Sequence, residues 1–220
     1  MIDEKSNLTT IDALIQRKQP FAVYRVPGEK YPRLLTEDVG AVRLIFDLKE
    51  LNGQRGFVIA PFRPNETCPI LLIQSNGPGQ PLLLADDADA VPRDIPSTDY
   101  PSCSEEYAEC FRTFISALRD KTFEKLVLSR KLTIGKPSAF SPSLAFRAAC
   151  QRYIHSYIYL CYTPQTGIWL GSTPEIILSG EKDDWHTVAL AGTQPLQDGK
   201  LPQVWDEKNR KEQELSLIHI

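Results

Sequence analysis

The 220-residue sequence lacks a long apolar run, and no stretch approaches the roughly 20 residues that a helix needs to cross a bilayer. Its start, residues 1–18, is polar and charged and lacks the apolar core of a signal peptide. Lysine and arginine are interspersed with acidic residues to a formal net charge of -3, so no basic block offers the surface that nucleic acid or an anionic membrane requires. These absences predict a soluble cytoplasmic protein with neither partner, although a small anionic substrate, which needs only a few cations, stays compatible.

The cysteines also lack a recognisable pattern. They form no Cys-x-x-Cys pair, no histidine lies at zinc-binding spacing, and their number is odd, which argues against a zinc site and against a disulfide framework. Without a signal peptide we expect them to be buried thiols in a reducing compartment. They are Cys68, Cys103, Cys110, Cys150 and Cys161.

What the sequence does contain is an ordinary globular balance, with 42% hydrophobic and 24% charged residues. A short helix is predicted at about 10–17, and short strand-like runs bounded by Gly, Pro or Asn follow it. These runs predict an antiparallel layer, and residues 86–101, which contain three prolines and several acids, predict a surface connection or a lid. The predicted strands are 21–26, 42–47, 56–62, 70–74 and 82–85.

The second half begins with the clearest helix. Over 102–121 the apolar residues recur along one face of a 3.6-residue period, and Ser102 with Glu105 fits a capping box. Ser141 followed by Pro142 predicts the start of another helix that reaches about residue 153. Strands in blocks between long helices predict an α+β fold with layered, mainly antiparallel sheets and outer helices. The other predicted elements are strands at 125–134, 157–162, 167–171, 176–179 and 187–190, and a last helix from about 204.

Three segments offer side chains for chemistry. In K-L-V-L-S-R, residues 125–130, Lys125 shares a strand face with Val127 and Ser129. It is either a plain exposed lysine or, if the strand is half-buried, a desolvated amine that can serve as a general base.

The other two segments follow later in the chain. In W-L-G-S-T-P-E, residues 169–175, Thr-Pro imposes an extended step before Glu175, which is either solvated at a strand start or held at a strand edge facing a pocket. In A-L-A-G-T, residues 189–193, the small residues allow backbone N–H groups to approach an anion, although a plain β-turn fits the same letters.

Together these segments, followed by an acidic K-N-R-K-E-Q helix at 208–213, resemble in type and order the chorismate-binding enzyme family. That family contains isochorismate, anthranilate, aminodeoxychorismate and salicylate synthases. The resemblance covers about 56–214, and it implies a large α+β domain with layered antiparallel sheets around a central cleft.

Within that family the resemblance singles out Lys125. Members that add water to C2 of chorismate use a lysine at this place as the base, whereas members that add ammonia typically lack it. The resemblance therefore implies an isochorismate synthase, an isomerase in which Lys125 activates water and Glu175 protonates the departing C4 hydroxyl. Ala191, Gly192 and Thr193 would bind substrate. No glutamine amidotransferase partner is expected.

The resemblance also implies a Mg2+ ion that orients the substrate carboxylate. Its first protein ligand lies in the K-x-R-x-E-x pattern, which places Glu212 at the matching position, with Glu207 and Glu214 as less favoured alternatives.

The end of the sequence, L-S-L-I-H-I at 215–220, matches the translation of a sequencing-library adapter, and we interpret it as an adapter-derived scar. We therefore expect residues 1–100 to be the strand-rich start of a truncated chorismate-binding domain and 101–214 to be its incomplete catalytic part. A second magnesium ligand and further substrate contacts would come from the missing half. The 220 residues alone are expected to be inactive and poorly soluble.

Three alternatives to an isochorismate synthase that feeds menaquinone or siderophore biosynthesis remain. A salicylate synthase shares the lysine and then eliminates pyruvate, and an ammonia-using synthase is disfavoured by Lys125. A non-catalytic chorismate-binding module belongs to a different class, and the presence of both Lys125 and Glu175 argues against it.

Overall fold

The computed structural model describes residues 4–36, 42–83, 105–138, 140–197, 199–200 and 203–218. The chain divides into two compact units, one formed by Met1–Asp86 with Ser141–Ile220 and the other by Asp87–Phe140. In chain order the elements are α1 (Glu4–Gln16), β1 (Phe21–Arg25), β2 (Arg33–Thr36), β3 (Arg43–Ile45), a 3-10 helix (Leu48–Leu51), β4 (Gly56–Ile59), β5 (Ile70–Gln74), β6 (Gln80–Pro81), α2 (Glu105–Arg119), α3 (Pro142–Arg152), β7 (Tyr157–Thr163), β8 (Gly167–Thr173), β9 (Ser179–Glu181), β10 (Asp184–His186) and α4 (Glu207–Ile218).

The first unit is built on a five-stranded antiparallel sheet with the strand order β6-β2-β1-β7-β8. Alternate residues of β1 and β7 point to opposite faces, as the two-residue period of a strand requires. On one face Phe21, Val23, Ile158 and Leu160 pack with residues of α1 and α3 in a closed apolar cluster. This cluster fixes both helices on that side of the sheet.

The opposite face of the same sheet packs on a second, three-stranded antiparallel sheet with the order β3-β5-β4. Ala22 and Cys161 meet Leu71 and Ile73 of β5 there. The other side of β5 buries Ile70 and Leu72 with Ile45, so this central strand is apolar on both faces. This part of the unit is therefore layered, with α1 and α3 on one side of two packed sheets.

Helix α3 is fixed at both ends by side chains. Ser141 is its N-cap and accepts the N–H of Leu144, and Pro142 occupies the first turn, as the sequence predicts. At the other end the buried guanidinium of Arg25 donates to the carbonyls of Cys150 and Tyr153. These are carbonyls that the last helical turn cannot pair by itself.

The second unit contains α2, which confirms the helix predicted from its apolar stripe. The segment after it forms no strand over the described residues 120–138. The guanidinium of Arg130 lies 5.8 Å from the centre of the Tyr107 ring, a cation–π contact between this segment and the helix. The predicted capping residue Ser102 and the predicted connection at 86–101 lie outside the described residues.

The α+β prediction with mainly antiparallel sheets is confirmed. Three predicted strands are wrong. Residues 125–134, all of which are described, form no strand, and neither do residues 187–190. The strand predicted at 176–179 begins only at Ser179, as β9. A strand needs a neighbour for its N–H and C=O groups, and the sequence pattern does not reveal whether one is present. The prediction for 82–85 is also wrong at Leu82 and Leu83, which follow β6 and belong to no strand, although the N–H of Leu82 still donates to the carbonyl of Pro32. β2 was not predicted.

The thiols divide into two classes. Cys150 and Cys161 are buried as predicted, but Cys68 and Cys110 are exposed, which corrects the prediction for them; Cys103 lies outside the described residues. Among the described helices, none is both long and apolar enough to cross a membrane.

Candidate active site

Glu175 lies two residues after the hairpin formed by β7 and β8. The turn of this hairpin is closed by Thr163, whose hydroxyl accepts the N–H of Thr166, and by Gly167 at a φ of 73°, a conformation that favours glycine. β8 ends at Thr173, whose Oγ1 accepts the N–H of Glu175 at 3.1 Å. Glu175 is therefore held by a local turn after β8 with its side chain exposed, and it does not start a strand.

Gly171 lies at a close approach within this hairpin. It faces Tyr159 across the β7–β8 ladder, and a Cβ at this position would lie 2.3 Å from the Tyr159 ring. The ring thus covers the glycine, an arrangement that only a residue without a side chain permits. Burial raises the pKa of the Tyr159 hydroxyl, so the phenol that covers Gly171 stays protonated at neutral pH.

Lys125 lies in the other unit, in the extended segment that follows α2. Its side chain is exposed, as are Val127 and Ser129, whereas Leu126 and Leu128 are half-buried. The alternation of a strand is therefore present without a ladder. The half-buried strand environment that would desolvate the lysine is not found, which corrects that part of the sequence argument.

The 191–193 turn docks directly on α4. Gln213 uses both ends of its side-chain amide: Nε2 donates to the carbonyl of Ala189 at 3.0 Å, and Oε1 accepts the N–H of Ala191 at 3.0 Å. One turn earlier on α4, Asn209 Oδ1 accepts the N–H of Thr193 at 2.9 Å. Three hydrogen bonds thus bind a turn and a helix that lie some twenty residues apart in the sequence.

Gly192 makes this docking possible. Its φ is 77°, and a Cβ would lie 2.9 Å from the backbone oxygen of Asn209 and 3.1 Å from Asn209 Oδ1. Because helical backbone cannot yield, only glycine lets the turn approach so closely. Of the three N–H groups proposed for anion binding, those of Ala191 and Thr193 already donate to α4, which leaves the N–H of Gly192.

Asp206 immediately precedes α4 and fixes the orientation of Asn209 by hydrogen bonds. As the N-cap it accepts the N–H of Asn209 on Oδ1 at 2.8 Å. Its Oδ2 accepts the side-chain amides of Asn209 at 2.6 Å and of Gln194 at 2.8 Å. These hydrogen bonds lower the pKa of the Asp206 carboxyl, and the bond from the Asn209 backbone N–H has the largest effect. The carboxylate therefore orients the Asn209 amide so that Oδ1 is the atom turned to Thr193.

Glu212 lies on the same helix, half-buried, between the two amide residues in sequence. Positions 209, 212 and 213 have the i, i+3, i+4 spacing of one helix face, so Glu212 is on the side of α4 that receives the turn. Within the part of the chain that the structure describes, no group of three or more His, Cys, Asp or Glu side chains is arranged to hold a metal. A single carboxylate still fits Mg2+, which keeps several of its waters and takes one or two protein carboxylates together with substrate oxygens.

A cleft of about 420 Å³ opens beside the docked turn. Ala191, Trp205, Asn209 and Arg210 are among its lining residues, so it combines an indole, a guanidinium and side-chain amides. Such a lining suits a small anionic molecule better than a purely apolar one.

The structure thus brings Ala191, Gly192 and Thr193 together with the helix of Glu212. Glu175 lies after β8 in the same unit, and Lys125 belongs to the other unit. Sequence reasoning missed Asn209 and Gln213. Two amide side chains at i and i+4 beside a candidate ligand were the signal that could have found them.

The sequence match agrees with these motifs. The model of the family described as "Chorismate binding enzyme" matches residues 85–220, which include Lys125, Glu175, the 191–193 turn and α4. Neither the search of curated proteins nor the search of solved structures returned a match. Since the family match spans more than half of the chain, the chain belongs to the chorismate-binding enzyme family.

Proposed function

We propose that this chain carries the first part of an isochorismate synthase, a Mg2+-dependent isomerase that converts chorismate to isochorismate. The observation that carries the proposal is the docking of the 191–193 turn on α4, the helix of Glu212, which brings two of the family's motifs together beside a cleft. Lys125 supports the choice of water, and not ammonia, as the nucleophile.

In the proposed reaction the bound substrate shields Lys125, which is exposed in this structure, from bulk solvent. Lys125 then takes a proton from water, and the hydroxide oxygen forms a bond to C2 of the ring. The ring double bond shifts, the bond from C4 to its oxygen breaks, and Glu175 donates a proton so that the C4 hydroxyl leaves as water. One water enters and one leaves, so the net reaction is an isomerisation. A base and an acid in these two roles are the minimum that such an exchange requires.

Glu212 would be the protein ligand of Mg2+, which supplies charge to orient and screen the substrate carboxylate. The N–H of Gly192 is the donor of the turn that remains for the substrate, since its two neighbours are already paired with α4. We place the enzyme in the cytoplasm, with menaquinone or siderophore biosynthesis as the route that uses its product.

The second candidate is a salicylate synthase, which Lys125 favours equally because that reaction also begins with water addition. An ammonia-using synthase or a non-catalytic chorismate-binding module is less favoured, because neither needs Lys125 and Glu175 together.

The experiment is a product analysis of the protein expressed from the uninterrupted gene, incubated with chorismate and Mg2+ and followed by chromatography. Isochorismate alone supports the proposal. Salicylate with pyruvate supports the second candidate, and product formed only when ammonia is added contradicts the role given to Lys125.

A further inference from the structure

Two side-chain amides on α4 hold the 191–193 turn, and neither belongs to the catalytic roles described above. Gln213 pairs with both the carbonyl of Ala189 and the N–H of Ala191, so its side chain acts as a neighbouring strand would. Asn209 adds the bond to the N–H of Thr193. We call Asn209 and Gln213 the amide clamp.

The amide clamp is fixed on its own side as well. The Asn209 side-chain N–H donates to Asp206, which also receives the backbone N–H of Asn209 and the side-chain amide of Gln194. Asn209 therefore cannot rotate its oxygen away from Thr193 without breaking a bond to a carboxylate. Hydrogen bonds to an ionised group are among the stronger ones in proteins, so the clamp is held in one orientation.

The amide clamp lies on the same helix as Glu212, the candidate metal ligand. Residue 212 follows 209 by three positions, so at about 100° per residue it projects about 60° around the helix axis from 209, and all three side chains are half-buried. A turn held by 209 and 213 therefore lies next to the strip of helix surface that carries Glu212. Loss of either amide would release the turn from that surface while leaving Glu212 in place.

We propose that Asn209 and Gln213 are positioning residues, which keep the 191–193 turn in one place relative to Glu212 so that the turn and the carboxylate can bind the same small molecule. The existence of the clamp rests on the hydrogen bonds alone, whereas its use in substrate binding rests on the proposed function. Removing the clamp should therefore weaken substrate binding more than it slows the chemical step.

The clamp itself is tested by residue-resolved amide hydrogen exchange on the protein from the uninterrupted gene. Q213A should accelerate exchange at Ala191, and N209A should do so at Thr193, each about fivefold or more for the loss of a hydrogen bond worth about 1 kcal/mol. Q213E keeps an acceptor for the N–H of Ala191 but loses the donor to the carbonyl of Ala189, so exchange at Ala191 should accelerate less than in Q213A. K211A changes an exposed residue of the same helix and should alter neither amide.

Selective acceleration of this kind supports the clamp. Unchanged exchange at both amides in the double variant N209A/Q213A overturns it. Equal acceleration along all of α4 in both single variants also overturns it, because that result would show a helix that has unfolded and not a turn that has been released.

The use of the clamp is tested with steady-state kinetics on the protein from the uninterrupted gene, with chorismate and Mg2+ as the probes. Q213A and N209A should raise the KM for chorismate about fivefold, with a smaller change in kcat, by the same hydrogen-bond arithmetic. An unchanged KM in variants with proven loss of protection overturns the positioning role. If the wild-type protein forms no product from chorismate, the proposed function fails, and the exchange result still decides whether the clamp exists.

Discussion

Replacement of Gly192 by alanine is the sharpest perturbation of the docked turn. The new Cβ would lie 2.9 Å from the backbone oxygen of Asn209, which is part of α4 and cannot move aside. A non-glycine residue at a φ of 77° also costs about 1–2 kcal/mol in the left-handed region. The turn must therefore withdraw from the helix as well as accept strain.

Withdrawal removes the three hydrogen bonds of the amide clamp, each worth about 1 kcal/mol. We expect G192A to weaken the docking by about 3 kcal/mol beyond the backbone strain, or about 100-fold in the exchange rates of the Ala191 and Thr193 amides. Gly199 is a matched control because its φ is 73° and no atom lies within 4 Å of a Cβ built there. G199A should show the strain alone and leave both amides protected.

Amide hydrogen exchange on wild type, G192A and G199A measures this difference directly, and urea unfolding shows whether the rest of the unit stays intact. Equal protection of Ala191 and Thr193 in G192A and G199A would refute the reasoning, because it would mean that the turn tolerates a side chain against Asn209.

Three other predictions test different parts of the molecule. G171A should lower the free energy of unfolding by about 1–3 kcal/mol because its Cβ overlaps the Tyr159 ring, whereas G77A, with open space around it, should change it little; urea denaturation measures both, and similar losses would contradict the overlap. Burial raises the pKa of Cys161 from 9.0 to about 12 and that of Cys150 to about 11, so the folded state keeps protons that the unfolded state loses. The stabilisation from the protonated thiols should be fully present below pH 9, and the free energy of unfolding should fall above it by up to about 1.4 kcal/mol per pH unit for each thiol. C161A should reduce this slope. A free energy of unfolding that stays unchanged from pH 8 to 10 would contradict the burial of both thiols. K125A in the protein from the uninterrupted gene should lower turnover about 10²- to 10⁴-fold while Mg2+-dependent chorismate binding persists. The control is K131A, which changes an exposed lysine of the same segment. Normal turnover in K125A would remove Lys125 from the mechanism.

The elements that could be predicted from sequence are those whose pattern is set by burial on one side. β5, predicted at 70–74, forms at Ile70–Gln74 because a short apolar run between polar turns suits a strand buried on both faces. α3 was predicted with its N-cap because Ser141 and Pro142 act locally.

The wrong predictions concern segments whose structure depends on a partner. Residues 125–134 alternate as a strand does, but alternation describes only the two faces of a chain and does not supply a ladder. The same holds for 176–179 and 187–190. Their apolar side chains remain largely exposed, with Ile177 88% and Val188 47% accessible.

The candidate site was predictable in its motifs and not in its connections. Lys125, Glu175, Glu212 and the 191–193 turn can be found in the sequence because each belongs to a motif. The clamp could not be predicted, because the pairing of Gln213 with Ala189 and Ala191 spans more than twenty residues and depends on where the turn lands on α4.

The most direct test of the central claim is the source of the oxygen at C2 of the product. The protein from the uninterrupted gene is incubated with chorismate and Mg2+ in water enriched in oxygen-18, and the isochorismate is analysed by mass spectrometry. Activation of water by Lys125 predicts one oxygen-18 atom in each product molecule, located at C2. Isochorismate without the label would mean that the hydroxyl migrates within the substrate, and it would contradict the mechanism proposed for this chain.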